Sequence, residues 1–197
     1  MHLELNEKEK HLINELKDLF KESPSHDLSH VLRVAGIALK LNNELNGKRD
    51  IIVPACLLHD LGRLKNISGP ESAFESAKLA LNPLNNAGYK ENEVKEIIHC
   101  IELHDDRTFT AKKASLEAKI VFDADKLDGF GALGIARICL HCGEQGHGLK
   151  GVIERLEKRM PARAEKLNFD FSKKIFKEKY REVEEFLKEL KSDLGIE

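Results

Sequence analysis

The sequence predicts an all-α fold, a single multi-helix bundle with a C-terminal helical extension. Three observations carry that prediction. Apolar residues recur near every 3.6 positions along most of the chain, strand-type alternation does not appear, and glycine or proline marks several helix boundaries. At 197 residues the chain suits one domain and can bury a sizeable core.

The elements follow in order. Leu12, Ile13, Leu16, Leu19 and Phe20 make one stripe of a helix over about 7–21, which Ser-Pro-Ser at 23–25 ends. Ser25 is the expected N-cap of a second helix, about 26–45, with Leu28, Val31, Leu32, Ala35 and Leu39 on its core face. The third, about 50–61, reads IIVPACLLHDL and stops at Gly62; Pro54 is expected in its first turn, where a missing N–H costs little. Further helices are expected over about 71–81, 91–104, 113–126, 130–142, 148–159 and 173–193. The last carries Ile175, Phe176, Tyr180, Val183, Phe186, Leu187 and Leu190 on one stripe, for packing on the domain in preference to a partner subunit.

Composition narrows the function classes. Hydrophobic residues at 41% and charged residues at 34% describe a globular protein, not a disordered one. With 32 Lys plus Arg against 34 Asp plus Glu, no bulk charge recruits nucleic acid or a membrane surface. The N-terminus lacks the apolar segment of a signal peptide, and no run reaches the ~18–20 apolar residues that cross a bilayer, so a cytoplasmic location is expected. Cys56, Cys100, Cys139 and Cys142 read as ordinary thiols. Although Cys139 and Cys142 form a CxxC with His141 and His147 near it, no second CxxC completes a structural zinc pattern.

The chemistry lies in polar residues set into apolar helices. His30, the pair His59-Asp60, and Asp125 fall where periodicity expects core, and buried imidazoles and carboxylates need partners. A shared divalent ion is the simplest one, which makes a metal-dependent hydrolase the first hypothesis. His26 and His30 are four apart on one helix face, with Asp27 able to orient one of them. Asp123, Asp125 and Asp128 interrupt another buried run; one of them serves as ligand with another behind it holding a histidine. The GxGxxG at 129–134 is not a dinucleotide fingerprint, because its surroundings are helical and Asp125 and Asp128 would repel phosphates. Close packing of small residues explains it better.

The segments HDLSHVLRV, ACLLHDLGR, IELHDD and AKIVFDADKLDGFGALGIAR resemble the HD-domain metal-dependent phosphohydrolase superfamily, in particular an uncharacterised hydrolase branch of it. The likeness spans a core of about 25–160 and leaves C-terminal helices over about 161–197. It implies that His30, His59, Asp60 and Asp125 coordinate one divalent ion (Mn, Fe, Co, Ni, Zn or Mg), with His104 and His99 the candidates for a second. Two departures matter. Glu71 stands where branch relatives often place a histidine, which weighs against a full dinuclear site, and Arg63 stands where nucleotidase-like relatives carry a glutamate base.

The implied reaction is hydrolysis of a phosphate ester, of a nucleotide or another small phosphorylated compound, by water whose pKa an ion lowers towards ~7. Asp60 serves it as a ligand, Asp128, His26 and Asp27 are the candidates for proton transfer, and Arg33, Arg63 and Lys126 are the cations for phosphate oxygens. Two other classes remain open: a metal- or nucleotide-binding regulatory module without catalysis, and a di-iron oxygenase.

Overall fold

In the computed structural model, the described residues are 3–17, 19, 28–65, 67, 70–105 and 108–196. They are helical with no strand among them, and no described helix is long and apolar enough to cross a membrane. The chain divides into two compact units, Met1–Asp125 and Lys126–Glu197.

The first unit is organised around α3 (Arg49–Leu58), in which every residue from Ile51 to Leu58 is buried. Around it lie α1 (Glu7–Leu16), α2 (Leu28–Asn42) and α5 (Glu91–Glu102), with α4 (Pro70–Asn86) against α5. α1 opens on a capping box: Asn6 Oδ1 accepts from Glu9 N–H, and the Glu9 carboxylate accepts from Asn6 N–H, both at 2.9 Å. The same carboxylate, fully buried, takes a two-pronged fork from Arg49 at 2.6 and 2.9 Å. That pair ties the start of α1 to the start of α3.

Two prolines fall differently from expectation. α3 begins at Arg49, so Pro54 lies beyond its first turn and leaves the Asp50 carbonyl without a helical partner. The sequence pattern predicts a stop near residue 81 for α4, yet the helix runs through Pro83 to Asn86. In both places buried apolar neighbours (Val53 and Ala55 in one, Ala80 and Leu84 in the other) hold the helix across the missing donor. α4 then closes with Tyr89 N–H on Leu84 O and Gly88 N–H on Asn85 O, at 3.1 and 3.0 Å.

Between α3 and α4 the chain tightens into a 3₁₀ turn, Leu61–Lys65. Gly62 is required there. Its N–H donates to Ser76 Oγ at 2.8 Å, and a Cβ at this position would run into the Ser72 carbonyl oxygen. The expected glycine stop is thus also a place where α4 packs tightly on the turn that follows α3.

Helix α6 (Leu116–Asp128) belongs to the first unit as far as Asp125. The second unit continues with α7 (Gly131–Glu144), α8 (Gly148–Glu154), a π-type segment (Arg155–Arg159), α9 (Met160–Ala164) and α10 (Asp170–Asp193). α10 packs on α7, where Phe176 meets Phe130 edge to face at 4.7 Å. Tyr180 Oη donates to the Leu156 carbonyl, 3.2 Å away, in the π-type segment. Within the GxGxxG stretch Gly134 sits so close to the Gly129 carbonyl that a Cβ would overlap it, as small-residue packing requires.

Candidate metal centre

Three helices of the first unit bring their polar residues to one point. His30 comes from the start of the described part of α2, His59 and Asp60 from the end of α3, and Asp125 from α6. His30, His59 and Asp60 each offer one ligand atom, and these atoms lie within 4.8 Å of one another. Asp125 Oδ1 is 3.5 Å from His30 Nε2 and 3.6 Å from His59 Nε2. Asp60 Oδ2 is 3.5 Å from the first and 3.7 Å from the second.

These separations are informative. Nitrogen and oxygen in a good hydrogen bond lie about 2.7–3.2 Å apart. Two donors sharing an ion at about 2.1 Å each are held about 3.0–3.5 Å apart by tetrahedral or octahedral angles. The observed distances sit at or just beyond that longer value. The histidine tautomer agrees. His59 Nδ1 lies 2.8 Å from the Cys56 carbonyl oxygen, so it carries the proton and donates, leaving the Nε2 lone pair towards the two carboxylates. His59 is fully buried and that Nε2 has no hydrogen-bond partner. A buried acceptor facing two carboxylate oxygens is unfavourable without a cation between them, so this donor set fits a divalent ion.

Asp60 has a second side. Its Oδ1 lies 3.7 Å from His104 Nε2 and 3.7 Å from Arg63 Nε. His104 follows the end of α5, which stops two residues short of the expected boundary; its Nδ1 is fixed on the Ile101 carbonyl at 2.6 Å and its ring lies 4.9 Å from that of His59. Arg63 also reaches Asp105 Oδ2 at 3.6 Å, and its Nε is buried without an acceptor.

The remaining described candidates have partners of their own. His99 Nε2 faces the Lys113 carbonyl oxygen at 3.1 Å. Arg33 Nη1 donates to Ser29 Oγ at 2.6 Å, along its own helix. In the second unit Lys126 is buried, and the buried Asp128 accepts from Arg137 Nη1 at 2.9 Å. His26, Asp27 and the expected cap Ser25 lie outside the described residues. Burial, with Cys100 and Asp125 adding to it, pushes the Cys56 thiol well up, so it stays protonated. All four cysteines are free, and among the described residues the CxxC forms no metal-ligand group.

Sequence reasoning missed Asp105 and Arg137. Signals for both existed: Asp105 repeats the adjacent His-Asp order of residues 59–60, and Arg137 is the first cation after Lys126, within reach of an acid at a helix end.

Over 187 residues the chain is 29% identical to the uncharacterised protein YpgQ of Bacillus subtilis, covering 91% of this chain and 90% of that one. The crystal structure of YpgQ in complex with ADP superposes with a TM-score of 0.75 at 23% identity, over 94% of both chains. An HD-superfamily hydrolase from Bacillus thuringiensis superposes with a TM-score of 0.74 at 26% identity, over 97% of this chain and 98% of that one. Residues 27–129, more than half of the chain and the stretch holding every ligand candidate, match the HD domain family. The chain belongs to the HD domain family.

Proposed function

We propose that this protein is a metal-dependent phosphohydrolase that cleaves a phosphate ester, with a nucleotide as the leading substrate class. The observation that carries the reading is the buried, unpartnered Nε2 of His59, aimed with His30 at the oxygens of Asp60 and Asp125. Membership in the HD domain family, the likeness to an HD-superfamily hydrolase, and the ADP bound in the YpgQ crystal structure support it.

In this reading His30, His59, Asp60 and Asp125 hold the ion. A bound divalent ion supplies Lewis acidity towards a phosphoryl oxygen and acidifies water. The protein's own groups do the rest. The Cys56 carbonyl fixes the His59 tautomer, so that imidazole is a ligand without a proton to lose. Arg63, beside Asp60, offers a planar fork to a phosphate oxygen, and Arg33 and Lys126 are further candidate cations. Asp128, held by Arg137, and His26 and Asp27 remain the candidates for proton transfer.

The test is metal analysis and a phosphate-ester panel with added Mn, Co, Ni or Mg, on the wild type and on His59→Ala and Asp60→Ala. Each substitution should remove bound metal and hydrolysis while leaving the chain folded. Full activity in either variant would end the assignment. Bound metal with no hydrolysis across the panel would favour the regulatory module instead.

A further inference from the structure

Arg63 stands between two carboxylates without the short hydrogen bonds such pairs usually form. It lies 3.7 Å from Asp60 and 3.6 Å from Asp105, ion-pair range in both cases, while its Nε is buried with no acceptor. A guanidinium held by charge in place of short hydrogen bonds, with 23% of its side chain exposed, can turn an accessible N–H towards another anionic oxygen.

Backbone hydrogen bonds anchor the mounting on each side. Arg63 leaves the 3₁₀ turn whose start is fixed by Arg63 N–H on Asp60 O, at 3.0 Å, and by Gly62 on Ser76. Asp105 follows His104, and its carbonyl takes Thr108 and Phe109 N–H at 3.1 and 2.9 Å together with Thr108 Oγ1 at 3.2 Å. Both side chains are mostly buried, at 23% and 15% exposure.

We propose that Asp105 is a positioning residue: it holds the Arg63 guanidinium beside Asp60 so that Arg63 can bind a phosphoryl oxygen of the substrate. The inference rests on the phosphohydrolase reading and adds the group that sets its phosphate affinity. It also fixes the sign of an experiment. A carboxylate near an anion site, acting by charge alone, weakens phosphate binding, so its removal should tighten binding. A carboxylate that acts through Arg63 strengthens binding, so its removal should weaken it.

The experiment is calorimetric titration of ADP and of inorganic phosphate into the full chain, with and without Mn, for the wild type, Asp105→Asn, Arg63→Gln and the double variant. Asp105→Asn should weaken ADP binding about tenfold, the scale of one charge-assisted hydrogen bond, with Mn content and unfolding midpoint unchanged. Arg63→Gln should weaken it at least as much, and the double variant should be no weaker than Arg63→Gln alone. Unchanged or tighter binding by Asp105→Asn overturns the inference, as does loss of Mn from it, or losses that add in the double variant. If the wild type binds neither probe under any condition, the nucleotide reading of the site falls and this inference with it.

Discussion

Replacing His59 by Leu should have opposite consequences with and without metal, and the structure fixes the scale of both. In the metal-free chain His59 makes one bond through Nδ1 to the Cys56 carbonyl and leaves Nε2 buried without a partner. Losing the bond costs about 1 kcal/mol, while removing the stranded acceptor recovers about 1–3 kcal/mol. Leucine is close to histidine in volume, so the metal-free variant should lie within about 2 kcal/mol of wild type, and can exceed it. Metal reverses the order. At a hundredfold excess over its dissociation constant an ion stabilises the wild type by about 2.7 kcal/mol, or about 5–10 °C in midpoint for a chain of this length. The variant, missing a ligand, should show little of that shift. Thermal unfolding with chelator and with excess Mn, beside metal analysis, reads both. The reasoning is refuted if His59→Leu keeps the full metal-dependent shift. It is equally refuted if the metal-free variant loses much more than 3 kcal/mol, for His59 would then be a structural residue.

Two further predictions use the same packing. Gly62→Ala forces a methyl group onto the Ser72 carbonyl and should cost about 1–3 kcal/mol in denaturant unfolding; a variant as stable as wild type would show that the turn can shift freely. The buried thiols set an alkaline limit: burial first, and the Glu117 charge next, push Cys100 up to about 12, and burial does the same in direction for Cys56. Because the folded-state values are raised, this stability is complete below the unfolded thiol value of about 8.5 and is lost as pH climbs towards about 12. Urea unfolding at pH 8 and 10.5 should show the loss, with native thiol labelling reaching the half-exposed Cys139 before Cys56 or Cys100; equal stability at both pH values would contradict it.

Helix existence was legible because burial is periodic, and helix length was less so. The helix expected over about 71–81 runs on through Pro83, because the buried Ala80 and Leu84 on either side carry α4 past it. The clustered residues were legible because His30, His59 and Asp60 are polar residues on faces otherwise filled with Val, Leu and Cys. Which side of Asp60 each neighbour would occupy was not. That Oδ2 meets His30 and His59 while Oδ1 meets His104 and Arg63 follows from how the end of α5 and the 3₁₀ turn meet, and no spacing along the chain encodes it.

The acidic run of α6 shows the same limit and gives its own test. Asp125 and Asp128 are three apart and share a helix face, so periodicity alone assigns them one environment. Asp125 instead turns its Oδ1 to two imidazoles, whereas Asp128 is bound by Arg137, and Asp123 is fully buried. Asparagine substitutions should separate these roles, since each keeps the shape and removes only the charge. Asp125→Asn should lower metal content with little change in metal-free stability, because a neutral amide is a poor partner for a divalent ion. Asp128→Asn should keep its metal and lose stability, about 1–3 kcal/mol, since the Arg137 guanidinium loses its charged acceptor. If metal content instead falls with Asp128→Asn and survives Asp125→Asn, the ligand lies one turn further along the helix, and the four-residue centre must be redrawn around it.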